Sequence, residues 1–382
     1  MYILFTAYYL LIARLVSLIY TLLQRLRKSY GLGGKVIDWF TSYLSDRLQQ
    51  VRTTTTSSVP SAVLFGVPQG SVLGPILFLL YTADLLQLVK RHRLMPHAYA
   101  DDTQVYGQCQ PSDAGSLAQR VSVCFDDVSA WMSANRLQLN PAKTEVLWCA
   151  SSRRQHQIPT GPVRVGDAFV SPVTTVRDLG VYIDADVTMR TQVTNTVRAC
   201  FAALRQIRSV RRSLPQHALL TLIQTLVITK LDQCNSVLVG ASGYLLDRLQ
   251  SVLNAAARLV YSRRSSEHIT PLLRDLHWLR VPERIQFRLC VLAYHCVHGT
   301  APAYLSDSLR PTSEVLARRR LRSADTTTLQ VPSTRRSTLG DRAFPVAAAR
   351  AWNCLPPQTR AASSLMAFRR AAKAHLFQLS FQ

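Results

Sequence analysis

His97-Ala98-Tyr99-Ala100-Asp101-Asp102-Thr103-Gln104-Val105-Tyr106 reads as strand, tight acidic turn, strand. Two adjacent carboxylates at a hairpin tip place like charges side by side, which is costly unless water or a cation offsets them. Hard divalent ions such as Mg²⁺ take oxygen ligands of this kind. Held rigidly beside a bound phosphate, such carboxylates suit two-metal phosphoryl transfer. The same pair also serves as plain turn chemistry, because Asp is a common turn residue. The surrounding chain has to separate these readings.

Charge is distributed unevenly around that turn. The chain has 382 residues and a net charge of +23. Residues 1–100 hold 10 Lys or Arg against 3 Asp or Glu, residues 201–300 hold 13 against 5, and residues 301–382 hold 13 against 4. Residues 101–200 alone are balanced, 9 against 10. An acidic island inside basic flanks suits a polyanion held by the flanks, with the local acids kept for cations. Hydrophobic content of 48% with 15 Gly excludes a disordered chain and leaves room for two or three domains. None of the 8 Cys forms a C-x-x-C pair, which fits a reducing compartment. Cys290, His295, Cys296 and His298 fall on an apolar helical pattern and read as core.

Residues 1–23 are almost entirely apolar, interrupted by Arg14 and followed by Arg25, Arg27 and Lys28. Their length could span a bilayer, and equally they could be a buried or aberrant leader. Helical periodicity is expected over 35–48, 76–89 and 112–134, the last with Leu117, Val121, Cys124, Val128 and Trp131 as its apolar stripe. Strands are expected over 51–63, 143–149, 163–170 and 173–183. From Met189 the period is helical: Met189, Val193, Val197, Cys200, Leu204 and Ile207 form one stripe. A second helix begins at Pro215 and runs to Leu231. Leu245, Leu249, Val252, Ala256 and Val260 form a third stripe, and Ile285, Leu289, Leu292 and Cys296 a fourth. Arg205, Arg208, Arg211, Arg212, Arg258, Arg263 and Arg264 lie off these stripes, placed to meet phosphates. After Ala301 the chain reads as irregular until Phe344.

Four motifs follow one another: Gly66-Val67-Pro68-Gln69-Gly70-Ser71-Val72-Leu73-Gly74-Pro75, Tyr99-Ala100-Asp101-Asp102, Leu139-Asn140-Pro141-Ala142-Lys143-Thr144-Glu145, and Asp178-Leu179-Gly180-Val181. In this order and spacing they resemble the reverse transcriptases of LINE-type (non-LTR) retrotransposons, in the jockey and CR1-like group. The resemblance runs from about Leu23 to the C-terminus, where Ala351-Trp352-Asn353-Cys354-Leu355-Pro356-Pro357 and Phe368-Arg369-Arg370 also look like the ends of such reading frames. It implies an α+β fold: a partial palm over 24–187, a helical thumb over 188–300 and a basic C-terminal region over 301–382, behind the 1–23 leader. It implies an RNA-directed DNA polymerase using an RNA template, a DNA primer and dNTP, with Mg²⁺ or Mn²⁺ as cofactor. Asp101 and Asp102 would be the metal ligands. Pro68, Gln69, Gly70, Ser71 and Tyr99 would support nucleotide and template, and Asp178, Leu179 and Gly180 would grip the primer. Lys143 would assist the leaving pyrophosphate, although it reads equally as a surface lysine. Such a protein would sit in the nucleus or cytoplasm, or at a membrane if residues 2–23 insert.

One departure bears on activity. The family's first palm motif carries a further aspartate on the strand beside the acidic hairpin. Here the first acid of the chain is Asp38 and the apolar leader occupies the expected place. The expectation is therefore a truncated copy, inactive alone, whose sheet has an unpaired edge that the leader could cover. The competing expectation is a non-catalytic nucleic-acid-binding remnant, possibly anchored in a membrane.

Overall fold

The computed structural model describes residues 2–7, 9–11, 17–63, 67, 70–314, 327–335 and 337–381. The fold is α+β and divides into two compact units. One comprises Met1–Asp178 with Ala185–Val187, the other Leu179–Asp184 with Thr188–Gln382.

The first unit begins with strands β1 (Tyr2–Ala7) and β2 (Tyr9–Leu11), helices α1 (Ser17–Lys28) and α2 (Gly34–Leu44), and strands β3 (Arg47–Gln49) and β4 (Ser61–Val63). Helix α3 (Leu73–Arg91), strands β5 (Met95–Tyr99) and β6 (Asp102–Gln108), and helix α4 (Ala114–Ala134) follow. Strands β7 (Leu137–Leu139), β8 (Glu145–Cys149), β9 (Val163–Val165), β10 (Ala168–Val170), β11 (Pro172–Val173) and β12 (Thr175–Asp178) complete it.

The main sheet has the order β11-β8-β1-β6-β5. Strand β1 is its middle: Leu4 pairs with Tyr106 of β6 on one side and Leu147 of β8 on the other. The leader thus covers the edge beside the hairpin strand, as its apolar sequence allowed. One expectation is corrected: residues 2–23 do not form one bilayer-crossing helix, since Tyr2–Ala7 and Tyr9–Leu11 are strands; Arg14 lies outside the described residues. A continuous apolar run is what a strand paired on both edges looks like, and periodicity cannot separate it from a buried helix. Among the described residues one helix, α3, is long and apolar enough to cross a membrane. Its Leu77, Tyr81, Leu85 and Val89 lie in the core with Leu117, Val121, Cys124, Phe125 and Met132 of α4.

Arg25 is a clamp inside this unit rather than a membrane anchor. Its guanidinium lies 4.6 Å from the centre of the Tyr81 ring and 5.5 Å from that of Trp131. It donates to Asp84 at 2.9 Å, to Asn135 Oδ1 at 2.8 Å and to the Tyr81 carbonyl. The Tyr81 hydroxyl in turn donates to the Asn135 carbonyl at 2.9 Å. Trp131 is therefore only half-buried, its indole N–H reaching Asp84, and Met132 takes its place in the core stripe.

Other boundaries moved where backbone geometry overrides pattern. Helix α2 stops at Leu44 because Ser45 is extended and Asp46 is left-handed, freeing Arg47–Gln49 to pair with Ser61–Val63. The expected strand over 163–170 becomes a β9–β10 hairpin that turns at Gly166, whose φ is +59°.

The second unit opens with β13 (Val181–Asp184) and helices α5 (Arg190–Val210), α6 (Gln216–Ile223), α7 (Thr229–Asp232), α8 (Gly243–Tyr261), α9 (Thr270–Asp275) and α10 (Val281–Val297). Helices α11 (Ala303–Ser306), α12 (Ser337–Gly340), α13 (Phe344–Asn353), α14 (Pro357–Arg360) and α15 (Leu365–Ser380) follow. A π-helical turn, Gln224–Ile228, interrupts the helix expected from Pro215 to Leu231. The α5 and α8 stripes are buried as their spacing implies, whereas Leu292 of the α10 stripe is only half-buried. The segment expected as a basic tail joins the same core: Trp352 of α13 and Phe368 of α15 are fully buried, their rings 5.5 Å apart. Alanines 347–349 and 351 let α13 approach α10 closely, and the Cys290 thiol donates to the Ala351 carbonyl at 3.4 Å. Burial pushes that thiol up to about 12, so it is packing rather than chemistry.

Two substitutions test this architecture. Leu4→Pro removes a ladder hydrogen bond from a strand paired on both sides, so soluble yield and the thermal midpoint should fall sharply; an unchanged melt would deny β1 its central place. Arg25→Ala should lower unfolding free energy by about 2–4 kcal/mol in denaturant titration, because Asn135 and the Tyr81 carbonyl lose a charged donor.

Candidate functional site

Tyr99 pairs with Asp102, so Ala100 and Asp101 are the whole loop of the β5–β6 hairpin. Two-residue loops match strand twist when a central residue has φ above zero. Ala100 meets that need at φ +54°, a conformation that costs a residue with a Cβ about 1–2 kcal/mol. The turn leaves Asp101 exposed at the tip and sets Asp102, half-buried, at the head of β6. Tyr99 stands out beside it, 63% exposed.

Alternation along β6 carries Asp102 and Gln104 to one face, and His97 is Gln104's partner across the hairpin. The Gln104 side-chain amide donates to Asp178 at the end of β12. Burial holds Asp102 above the usual carboxylate range; Asp101 adds to the rise and Lys143 opposes it. Burial likewise raises Asp178, with His97 opposing and Asp102 adding. Lys143 ends a 3₁₀ turn, Pro141–Lys143, immediately before β8. Asp101, Asp102, Lys143 and Asp178 are thus brought into one electrostatic neighbourhood. His97 and Gln104 belong to it too, and only strand alternation from Asp102 could have signalled them.

The other expected residues are placed separately. Pro68 and Gln69 lie outside the described residues, as does Gly66. Gly70 has φ +83°, a turn that favours glycine. Ser71 Oγ accepts from the Gly74 N–H at 3.1 Å, which uses the hydroxyl to start α3. A Cβ on Gly74 would come within 2.9 Å of Val67, so this turn is tightly packed. Leu179 and Gly180, both with positive φ, form a second sharp turn.

Two cations held roughly 4 Å apart need carboxylates from two strands. Strand β1, the neighbour of β6, reads Tyr2-Ile3-Leu4-Phe5-Thr6-Ala7 and carries none. Among the described residues no group of three or more His, Cys, Asp or Glu is placed to hold a metal. Asp101 and Asp102 offer hard oxygen ligands from one hairpin, which does not fit a two-ion centre.

Residues 22–183 match the reverse transcriptase (RNA-dependent DNA polymerase) family. The chain is 29% identical over 174 residues to the "Probable RNA-directed DNA polymerase from transposon BS" of Drosophila melanogaster, covering 44% of this chain and 18% of that protein. It is 28% identical over 250 residues to the "Probable RNA-directed DNA polymerase from transposon X-element" of the same organism, covering 64% of this chain and 27% of that protein. The alignments therefore span about a quarter or less of each relative's length.

Asp178→Asn keeps an acceptor for Gln104 while removing a charge that the fold disfavours. A carboxyl raised in the folded state binds more protons there than in the unfolded chain, so its burden grows as pH rises from the ordinary Asp range through the folded value. The variant should melt above the parent at neutral pH, and the gap should close as pH falls below that range. A variant less stable at neutral pH would show instead that the ionised carboxylate is favoured.

Proposed function

Residues 22–183 are a reverse-transcriptase domain of the LINE (non-LTR retrotransposon) type, and from that premise we propose how this chain performs or fails its chemistry. Its first unit is the palm, with the β5–β6 hairpin as the catalytic turn, and its second unit corresponds to the thumb. The reaction of this palm is attack by a primer 3′-hydroxyl on the α-phosphorus of a dNTP. With the dNTP base-paired to the RNA template, the O3′–P bond forms, the bond from the α-phosphorus to the bridging oxygen breaks, pyrophosphate leaves and the hydroxyl proton passes to water. Divalent ions serve reverse transcriptases by neutralising the charge that develops on these oxygens.

The residues take distinct roles in this reading. Asp101, exposed, and Asp102, half-buried, would hold one Mg²⁺ or Mn²⁺. Lys143, close enough to Asp102 to lower its proton affinity, would lie on the side of the leaving pyrophosphate. Gly70 and Ser71 would present backbone to template or nucleotide, with Tyr99 beside the primer end. The Asp178-Leu179-Gly180 turn would meet the primer backbone.

We further propose that the chain does not polymerise DNA by itself. The observation that carries this is β1: the strand hydrogen-bonded along β6, where a partner carboxylate is needed, supplies backbone and no acid. Primer extension on poly(rA)/oligo(dT) with Mg²⁺ or Mn²⁺ tests it. The expected result is no extension above that of Asp101→Ala; robust extension abolished by Asp101→Ala would sink the inactivity claim and leave the enzyme reading standing.

A further inference from the structure

Arg263 and Arg264 lie in the loop between α8 and α9, not on a helix face. Helix α8 ends at Tyr261, and Ser262 takes a left-handed conformation at φ +58° that turns the chain off the helix axis. The loop then reads Ser262-Arg263-Arg264-Ser265-Ser266-Glu267-His268-Ile269. Residues 262–266 are all exposed, and the Ser266 hydroxyl has no hydrogen-bond partner among the described residues.

Glu267 organises this loop. Its Oε1 accepts from the Arg264 N–H at 2.8 Å, and its Oε2 lies 3.2 Å from Arg263 Nη1. Its own N–H donates to the Arg264 carbonyl at 3.2 Å, which closes a turn with Ser265 and Ser266 at the tip. From α8, Arg258 donates to the Glu267 carbonyl at 3.2 Å. The Arg263 and Glu267 side chains are 55% and 40% exposed. An exposed pair of this kind favours the closed arrangement by about fivefold at most, so a more acidic surface can compete for Arg263. Arginines three and two residues ahead of an exposed hydroxyl form the kind of charge pattern by which a kinase groove selects its substrate.

We propose that Ser266 is a phosphorylation site for basophilic serine/threonine protein kinases, with Arg263 and Arg264 read by the acidic groove of the kinase. The Ser266 Oγ attacks the γ-phosphorus of ATP. The Oγ–P bond forms, the bond from that phosphorus to the β–γ bridging oxygen breaks, ADP leaves, and the hydroxyl proton passes to the catalytic carboxylate of the kinase. The product carries close to two negative charges beside Glu267. Like charge then pushes Glu267 away, while the phosphoryl oxygens offer Arg263 and Arg264 a stronger acceptor, so modification changes what holds the turn. The chain is here the substrate of another enzyme. The site needs neither the acidic hairpin nor a nucleic acid, and so goes beyond the polymerase reading.

Incubation of the folded full chain with ATP and the catalytic subunit of cAMP-dependent protein kinase, a basophilic enzyme, tests it, with sites mapped by tandem mass spectrometry. Phosphate should appear on Ser266 and be lost from that peptide in Ser266→Ala. Arg263→Gln/Arg264→Gln should lower kcat/KM for Ser266 on the order of a hundredfold, with melting curves confirming that the variant is folded. An acidophilic kinase should leave Ser266 unlabelled. Arg320-Leu321-Arg322-Ser323 and Arg335-Arg336-Ser337-Thr338 carry similar arginine spacing, so the mapped residue decides and not the total incorporation. No phosphate on Ser266 of the folded chain, phosphate there only after heat denaturation, or an unchanged rate in the double arginine variant would overturn the proposal. Extension activity, present or absent, leaves these readings unchanged.

Discussion

Strand β6 has two edges, and both must find hydrogen-bond partners. One is met by β5 through the acidic turn, the other by β1, which then satisfies β8 as well. Without that middle strand, β6 and β8 would each present a row of unpaired backbone groups, a template for aggregation. The rest of the first unit follows from filling this place. The sheet needs an apolar cover, which α3 and α4 provide, and the last turn of α1 is tied to them through Arg25. Asp102 is half-buried because it heads a strand locked on both sides.

The same constraint separates shape from chemistry. Any strand with the right hydrogen-bonding register can complete the sheet, since the ladder uses backbone alone. A metal-binding palm needs in addition an acid at one position of that strand. Tyr2–Ala7 meets the first demand and not the second. Of the carboxylates that do gather, Asp102 is opposed by Lys143 and Asp178 by His97, and burial drives both toward protonation.

Much of this was legible in the residues. The hairpin, the α4, α5 and α8 stripes and the acidic island all follow from local period and charge. What escaped was long-range. Leu4 meets partners about a hundred residues away or more, at Tyr106 and Leu147, and no window along the chain contains that information. Hydropathy registered the run correctly as apolar and could not say whether helix or strand would bury it. Asp178 was read for its own turn, and its approach to Asp102 depends on the packing of β12 that only the fold supplies. The C-terminal helices were masked by their arginines: Arg369 and Arg370 flank Phe368, and the fully buried ring, not the charges, fixes where α15 goes.

That last arrangement separates what packing fixes from what it leaves free. Phe368 anchors α15 to Tyr294 and Trp352, and helical geometry then turns the neighbouring Arg369 and Arg370 outward. The exposed charge of α15 is thus positioned by core packing in the second unit. The pairing of β1, by contrast, is indifferent to whether that strand carries an acid, so the sheet can stand without the carboxylate that a two-ion centre would need. The +23 charge that first set this chain apart is carried outside residues 101–200, the stretch that holds the acidic hairpin.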